Sequence, residues 1–288
     1  MAGNNLLIGI LIGILSYCCL YLGKGIQKLG VDRIKARGSL KRKESGIWIT
    51  GTVLTIIPVF LQWAALVFAP INIIAPLEGL GLIVLAAFSY FALRERFSGI
   101  EYAGIVLIIA GTFATSFFAG PLSDITLSQF RPLYFVYIFS GLVLIELLLF
   151  FLSKRSGFGY AGIILGLAAG TMMAFQSISK RISVIPGHFI WGMVLTFTFA
   201  ILTLAVTQLG FARARAGQVV PSFTSASIVV ASVSSTFILG ETIEVLQYMG
   251  MGMIILGVVL LTVFSSRVTD SMETGQKASK QTGDDNAC

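Results

Sequence analysis

Glutamates inside long apolar segments are the residues of this sequence best suited to chemistry. Glu78 and Glu146 each lie within such a segment, where a charged side chain costs about 2.5–3.5 kcal/mol at the centre of a bilayer. Hard divalent cations take oxygen ligands and often keep several waters. A carboxylate at this depth is therefore a candidate ligand for a cation in transit, or else a protonated or hydrogen-bonded group that fixes helix packing.

Glu78 has neighbours that strengthen its case as a binding residue. Pro76 lies two residues earlier and leaves the backbone carbonyl of Asn72 without its usual amide partner. Amides such as Gln208 on other apolar segments could line the same cavity, although interhelical hydrogen bonding is their commoner role. Glu146 lies nearer the end of its segment and could instead extend towards the interface. The candidate substrate-binding residues are Glu78, Asn72, Gln62, Glu146 and Gln176, and Glu78 is the candidate metal ligand.

Composition places these residues in a membrane. Of the 288 residues, 56% are hydrophobic and 11% charged, whereas an ordinary soluble domain is about one quarter charged. A transmembrane helix needs about 20 largely apolar residues, and lipid offers no partner to unpaired backbone groups. The sequence therefore predicts an all-α polytopic protein with nine transmembrane helices: Leu6–Leu22, Ile47–Phe68, Ile71–Leu93, Ile100–Phe118, Pro132–Leu152, Tyr160–Ser179, Phe189–Gly210, Gly217–Leu239 and Ile243–Phe264.

The basic residues predict the orientation of these spans. With the amino end outside, 17 of the 20 Lys and Arg residues fall in cytoplasmic segments, as the positive-inside rule requires. The exceptions are Arg131, Lys180 and Arg181, and eight of the 17 lie in the basic stretch Lys24–Glu44. The formal charge of +7 is thus an orientation signal, and no nucleic-acid partner is expected.

The two halves of the chain share a spacing pattern of glutamate, tyrosine and glycines. A proline also lies near the start of the preceding helix in each half, one residue out of register, and Pro76 and Pro221 are candidate hinges. The matched glutamates each stand just before a new helix, where a carboxylate either caps the positive helix end or gates access. The matched residues are Glu95, Tyr102, Gly104 and Gly111 in the first half and Glu241, Tyr248, Gly250 and Gly257 in the second.

With nine spans, the matched segments cross the membrane in opposite directions, so the repeats are predicted to be inverted. Inverted repeats are the architecture of alternating access, because one half can rock against the other about a site at the midplane. The predicted organisation is a first repeat of four helices (1–118), an extracytoplasmic loop (119–131), a second repeat of five helices (132–264) and a disordered cytoplasmic tail (265–288).

Motifs in the first repeat resemble a known family. The motifs are Phe68-Ala69-Pro70, Ala75-Pro76-Leu77 and Tyr90-Phe91-Ala92-Leu93-Arg94-Glu95-Arg96, followed by Gly104 and Gly111. They are similar to the drug/metabolite transporter superfamily and, within it, to the NIPA-type magnesium transporter family. This resemblance implies a helical transporter with a central cavity between two repeats, and Mg²⁺ or another divalent cation as substrate.

The chain departs from the usual family pattern at two positions. Val59 stands in place of a glutamate, and Glu78 stands in place of the glycine that usually follows the Pro-Leu pair. One acid is thus lost from the second span and another is gained on the third. The change either keeps a single acidic cavity or alters the substrate.

These features predict a secondary transporter of a small solute, with Mg²⁺ or another divalent cation as the favoured substrate. An importer or exporter of an organic metabolite or drug, and a non-transporting membrane scaffold, are the alternatives. An enzyme is not expected, because one histidine, His188, cannot form a His-based metal cluster, and no cofactor is expected. The lipid bilayer and the transported solute are the expected partners, and a homodimer is left open.

Overall fold

The chain is helical throughout the part that the structure describes. The computed structural model describes residues 2–37, 42–68, 77–94, 98–118, 130–155, 160–183, 185–240 and 243–260 of the 288. No strand occurs in these ranges, and the all-helical fold expected from composition is confirmed. The helices are α1 (Ala2–Arg37), α2 (Arg42–Phe68), α3 (Glu78–Phe91), α4 (Gly99–Phe117), α5 (Pro132–Arg155), α6 (Ala161–Ile182), α7 (Phe189–Phe211), α8 (Ala216–Leu239) and α9 (Val245–Leu260).

Six of these helices are long and apolar enough to cross a bilayer, so the chain is a polytopic membrane protein. They are α1, α2, α5, α6, α7 and α8. The helices α3, α4 and α9 are shorter and apolar. The 14 residues of α3 span about 21 Å, against a hydrocarbon thickness of about 30 Å. Residues 71–76 and 261–264, which the sequence assigns to the same spans as α3 and α9, lie outside the described residues, as do 119–129 and the tail 265–288.

The first helix is longer than the sequence predicts. The apolar run predicts a span over Leu6–Leu22, but α1 continues to Arg37 and its 36 residues measure about 54 Å. Residues 24–37 and 42–44 of the basic stretch Lys24–Glu44 are therefore helical. The prediction is wrong at this boundary because it ends the span at the first lysine, whereas Lys24 and Lys28 are buried against other helices.

Two lysines attach the extended end of α1 to the end of α7. Lys28 Nζ donates to the backbone carbonyl of Phe211 (2.9 Å) and to Asp32 Oδ1 (2.7 Å). Lys35 Nζ donates to the backbone carbonyl of Ala212. The last carbonyls of a helix lack intrahelical partners and carry the negative end of its dipole, so lysine donors stabilise them.

An ion pair joins the starts of α4 and α8 next to this contact. Arg215, the residue before α8, donates from Nη2 to Glu101 Oε1 at 2.8 Å. Glu101 lies in the first turn of α4 and is buried. We call the contacts of Lys28, Lys35 and Arg215 the basic-end contacts. They connect the first half of the chain, α1 to α4, with the second half, α5 to α9.

The helices α4 and α9 pack antiparallel through glycines. A Cβ atom on Gly257 would lie 2.7 Å from the carbonyl oxygen of Gly104, and one on Gly111 would lie 2.6 Å from that of Gly250. Small residues at such positions allow two backbones to approach closely. In the register of the sequence repeat, position 104 matches 250 and position 111 matches 257. The contact of Gly257 with Gly104 and the contact of Gly111 with Gly250 are therefore equivalent under the repeat. Equivalent contacts of this kind are typical of an isologous interface.

Matched positions also cap these two helices. Ser98 N donates to Glu101 Oε2 (2.7 Å) and Glu101 N donates to Ser98 Oγ (3.3 Å), which is a capping box at the start of α4. At the start of α9, Glu244 N donates to Gln247 Oε1 at 2.9 Å. In the repeat register, 98 matches 244 and 101 matches 247. The caps and the glycines thus follow one common spacing.

Two apolar cores hold the bundle together. The first contains Tyr21, Leu82, Ile108 and Val219, and joins α1, α3 and α4 to α8. The second lies within the second half, where the rings of Phe135, Phe139, Phe175 and Phe199 pack largely edge to face. Because only the first core includes both halves, it is the core that can position groups between them.

The glycine contact between α4 and α9 gives a stability prediction. Gly257→Ala should lower the thermal unfolding temperature of the purified protein in detergent by several degrees, because its Cβ would meet the backbone of α4 and overpacking costs about 1–3 kcal/mol. Gly252→Ala on the same helix is the matched control, since its Cβ would meet no heavy atom within 4 Å. Equal unfolding temperatures for the two variants would contradict the close contact.

Candidate substrate site at Glu78

The structure places Glu78 in a cluster of polar side chains from three helices. The Tyr21 hydroxyl on α1 donates to Glu78 Oε1 at 3.2 Å and shares a 2.6 Å hydrogen bond with Thr224 Oγ1 on α8. Tyr21 and Thr224 are both fully buried. Since α8 belongs to the second half of the chain, one phenol joins the two halves at an acid inside the bundle.

The position of Glu78 on its helix favours a charged carboxylate. Glu78 lies in the first turn of α3, where unpaired amide groups and the helix dipole stabilise negative charge. A Cβ atom at Gly81 would collide with the Tyr21 ring. The glycine one turn after Glu78 therefore makes room for the phenol that reaches the carboxylate.

A lysine completes the cluster. Lys24 follows Tyr21 by one turn on α1 and is 4% exposed. Its Nζ lies 2.9 Å from the ring centroid of Phe223 and 5.4 Å from that of Tyr21. Glu78 and Lys24 therefore both lie beside Tyr21, the carboxylate at its hydroxyl and the ammonium at its ring. The site therefore combines one acid and one base, together with two hydroxyl groups.

The sequence identifies Glu78 but not the residues around it. Lys24 is assigned to a cytoplasmic loop because the first apolar run ends before it, and a tyrosine or threonine in an apolar run carries no distinctive signal. Two patterns could have indicated them. Lys24 follows Tyr21 at a spacing that puts both on one helix face, and position 224 matches position 78 in the register of the repeated glycines.

The other predicted site residues lie on different helices. Gln62 is half-buried on α2, Gln176 is buried on α6, and Pro221 is buried inside α8. Glu146 on α5 accepts a 2.5 Å hydrogen bond from Thr171 Oγ1 on α6. These contacts place Glu146 at a helix interface of the second half. The predicted residues Asn72, Pro76, Glu95 and Glu241 lie outside the described residues.

An amide network links the two halves at a second place. Gln208 on α7 donates from Nε2 to Gln27 Oε1 on α1 (2.9 Å) and accepts from Trp48 Nε1 on α2 (2.8 Å). Gln27 Nε2 in turn donates to the hydroxyls of Thr52 (3.2 Å) and Thr55 (3.1 Å). Interhelical hydrogen bonding, the commoner role of amides in membranes, is confirmed for Gln208.

The donor atoms of the Glu78 cluster suit a hydrated hard cation. The described residues contain no group of three or more His, Cys, Asp or Glu side chains that could hold a metal. The Glu78 carboxylate and the hydroxyls of Tyr21 and Thr224 all offer oxygen atoms as possible metal ligands. A cation bound by so few protein ligands would keep most of its waters, which Mg²⁺ readily does. Such a site could bind an ion transiently.

Comparisons with known proteins identify the family. The sequence pattern of the family described as "Magnesium transporter NIPA" matches residues 4–213, from α1 to the region after α7. The probable magnesium transporter NIPA9 of Arabidopsis thaliana is 27% identical over 91% of this chain and 83% of its own length. No solved structure matches the chain significantly. The chain therefore belongs to the NIPA magnesium transporter family, as its motifs indicate.

Two further relatives match a smaller part of the chain. NIPA-like protein 2 of Mus musculus is 27% identical over 62% of this chain, which spans about half (49%) of that protein. The probable magnesium transporter NIPA1 of Arabidopsis thaliana is 22% identical over 65% of this chain and 60% of its own length. The likeness to the family thus recurs across two kingdoms at low identity.

The Tyr21 hydroxyl gives a prediction about the cluster itself. Tyr21→Phe should lower the free energy of unfolding by about 1–3 kcal/mol, because Glu78 and Thr224 both lose a hydrogen-bond partner inside the bundle. Tyr90→Phe is the matched control, since Tyr90 is 53% exposed on α3. Thermal unfolding in detergent should show a lower midpoint for Tyr21→Phe alone. Two unchanged midpoints would count against the bridging role.

Proposed function

We propose that this chain carries Mg²⁺ across the membrane and that Glu78 binds the ion on its path. One observation carries the proposal. The Tyr21 hydroxyl binds both the Glu78 carboxylate in the first half of the chain and Thr224 in the second half. Acids at such depth are expensive and mark substrate or ion pathways. Membership of a family named for magnesium transport, and relatives named as probable magnesium transporters, support Mg²⁺ as the ion.

The membrane potential is a sufficient driving force for this reaction. A divalent cation moving inward gains about 4.6 kcal/mol at 100 mV, twice the value for a single charge. Uptake of Mg²⁺ therefore needs no further energy source. The proposed activity is secondary transport.

Alternating access between two inverted repeats, 1–118 and 132–264, is the proposed mechanism. The antiparallel contact of α4 and α9 supports it, because helices that match in an inverted repeat must run in opposite directions. The Glu78 cluster supports it as well. In the same register Glu78 and Thr224 are matched positions, and both bond to the Tyr21 hydroxyl. A site shared by matched positions is one that each repeat can expose in turn.

The basic-end contacts fit the closed side of this cycle. In these contacts Lys28 and Lys35 bind the end of α7, and Arg215 binds Glu101. The hydrogen bond from Gln208 to Gln27 joins the same two halves nearby. All of these bonds run between the two halves at one end of the bundle, which we expect to be cytoplasmic. Opening towards that side would require them to separate. The contact between the backbones of α4 and α9 could then remain as the pivot.

Loss of the Glu78 charge is the direct test of the site. Glu78→Gln should abolish Mg²⁺ uptake by liposomes that contain the purified protein, because the neutral amide cannot compensate a divalent charge. The amount of folded protein in the membrane should stay unchanged. Glu244→Gln, at an exposed acid near the start of α9, is the control and should retain uptake.

The same assay separates this proposal from its alternatives. Unchanged uptake by Glu78→Gln would remove Glu78 from the pathway. Uptake of an amino acid or another small metabolite that added Mg²⁺ does not inhibit would indicate an organic solute as substrate. The absence of saturable flux of any of them would indicate a scaffold.

Surface labelling tests the inverted repeats separately. Single cysteines at positions 95 and 241, in a background without Cys18, Cys19 and Cys288, should react with an impermeant maleimide from opposite faces of sealed membranes. The expectation follows from the opposite direction of the matched helices. Reaction of both cysteines from one face would contradict the arrangement.

A further inference from the structure

Lys24 is a buried lysine whose Nζ has no hydrogen-bond partner among the described residues. Its side chain is almost wholly enclosed, and in the part of the chain that the structure describes no acceptor lies within reach of Nζ. An ammonium group has three donors, and leaving them unmet inside a protein is unfavourable. The group faces the Phe223 ring instead, and the ring attracts a cation over its face but offers no oxygen or nitrogen acceptor. A charge held in this way calls for a reason beyond packing.

The hydrogen bonds of the cluster are distributed unequally between its two charges. Glu78 is fixed by the Tyr21 hydroxyl and by the start of α3. Lys24 Nζ lies over the ring of Phe223 and 5.4 Å from the ring centroid of Tyr21, the residue whose hydroxyl binds Glu78. The lysine side chain has a flexible stem of four carbons. The ammonium can therefore move away from Glu78 without breaking a hydrogen bond, whereas the carboxylate cannot.

We propose that Lys24 is the resident counter-ion of Glu78 and that the transported cation must displace its ammonium group to bind. This inference rests on the proposed function and adds to it the residue that sets affinity. With Lys24 in place, the carboxylate is neutralised and the bundle is stable without a bound ion. A divalent ion that approaches Glu78 meets like charge from the ammonium, so the two compete for one carboxylate.

Competition of this kind serves transport because a carrier has to release its ion. Selective passage requires binding that is favourable enough to enter and weak enough to leave. A tethered cation that returns to Glu78 lowers the affinity of the loaded site and occupies the empty one. Lys24 thus allows Glu78 to select cations and still release the bound ion.

Removal of the charge at position 24 tests the inference. Lys24→Met and Lys24→Gln should lower the KM for Mg²⁺ uptake into liposomes on the order of tenfold, because the competing charge is gone. Lys24→Arg keeps the charge and should keep the KM near that of the unchanged chain. Lys180→Met is the control. It removes a half-buried lysine from α6, a helix that contributes no residue to the Glu78 cluster, and it should leave the KM unchanged.

A binding measurement covers variants that bind too tightly to turn over. If the neutral variants show no flux, the Mg²⁺ concentration at half-maximal thermal stabilisation should be lower for them than for the unchanged chain. A KM or a half-maximal concentration that is unchanged or higher in both neutral variants would overturn the inference and leave Lys24 with a structural role. Failure of the proposed function is a different result. In that case the unchanged chain itself carries no Mg²⁺ above empty liposomes.

Discussion

An acidic side chain inside a lipid-embedded bundle has to be compensated by groups that the fold brings to it. Around Glu78 these groups are the Tyr21 hydroxyl, the first turn of α3 and, on the other side of the Tyr21 ring contact, Lys24. Each source constrains another part of the chain. The hydroxyl requires the space left by Gly81, and Lys24 requires α1 to continue past its apolar run. Many features of the first half are thus consequences of one half-buried acid.

The two halves meet through two physically different kinds of contact. Between α4 and α9 the backbones touch at glycines, so no side chain can rearrange to accommodate a change. At the basic end the contacts are made by long side chains, such as Lys28 and Lys35, that reach the carbonyls after α7. Packed backbones have few alternative arrangements, whereas flexible lysines can exchange a carbonyl for water. A movement of one half against the other would therefore leave the first kind of contact in place and change the second.

The sequence predicts the helices well and their charged ends poorly. Apolar runs predict every described helix, because a span must be apolar along most of its length. The boundary of α1 is wrong because Lys24 and Lys28 are buried by neighbouring helices, and single-chain hydropathy contains no information about neighbours. The same limit applies to the site. Glu78 is identifiable as an isolated acid, but its contact with Thr224 joins positions that are 203 residues apart, and only the fold brings them together.

The departure from the family pattern that the resemblance implies, an acid at position 78 and none at position 59, has an electrostatic consequence. Position 59 lies inside α2, where amide groups are used by the helix itself and no free donor faces a carboxylate. Position 78 lies at a helix start, where amide donors are free and the dipole is favourable. An acid at 78 therefore depends less on a bound cation for its stability than an acid at 59 would. The proposed counter-ion role of Lys24 would stabilise the empty site further, and a carrier passes through an empty state in every cycle.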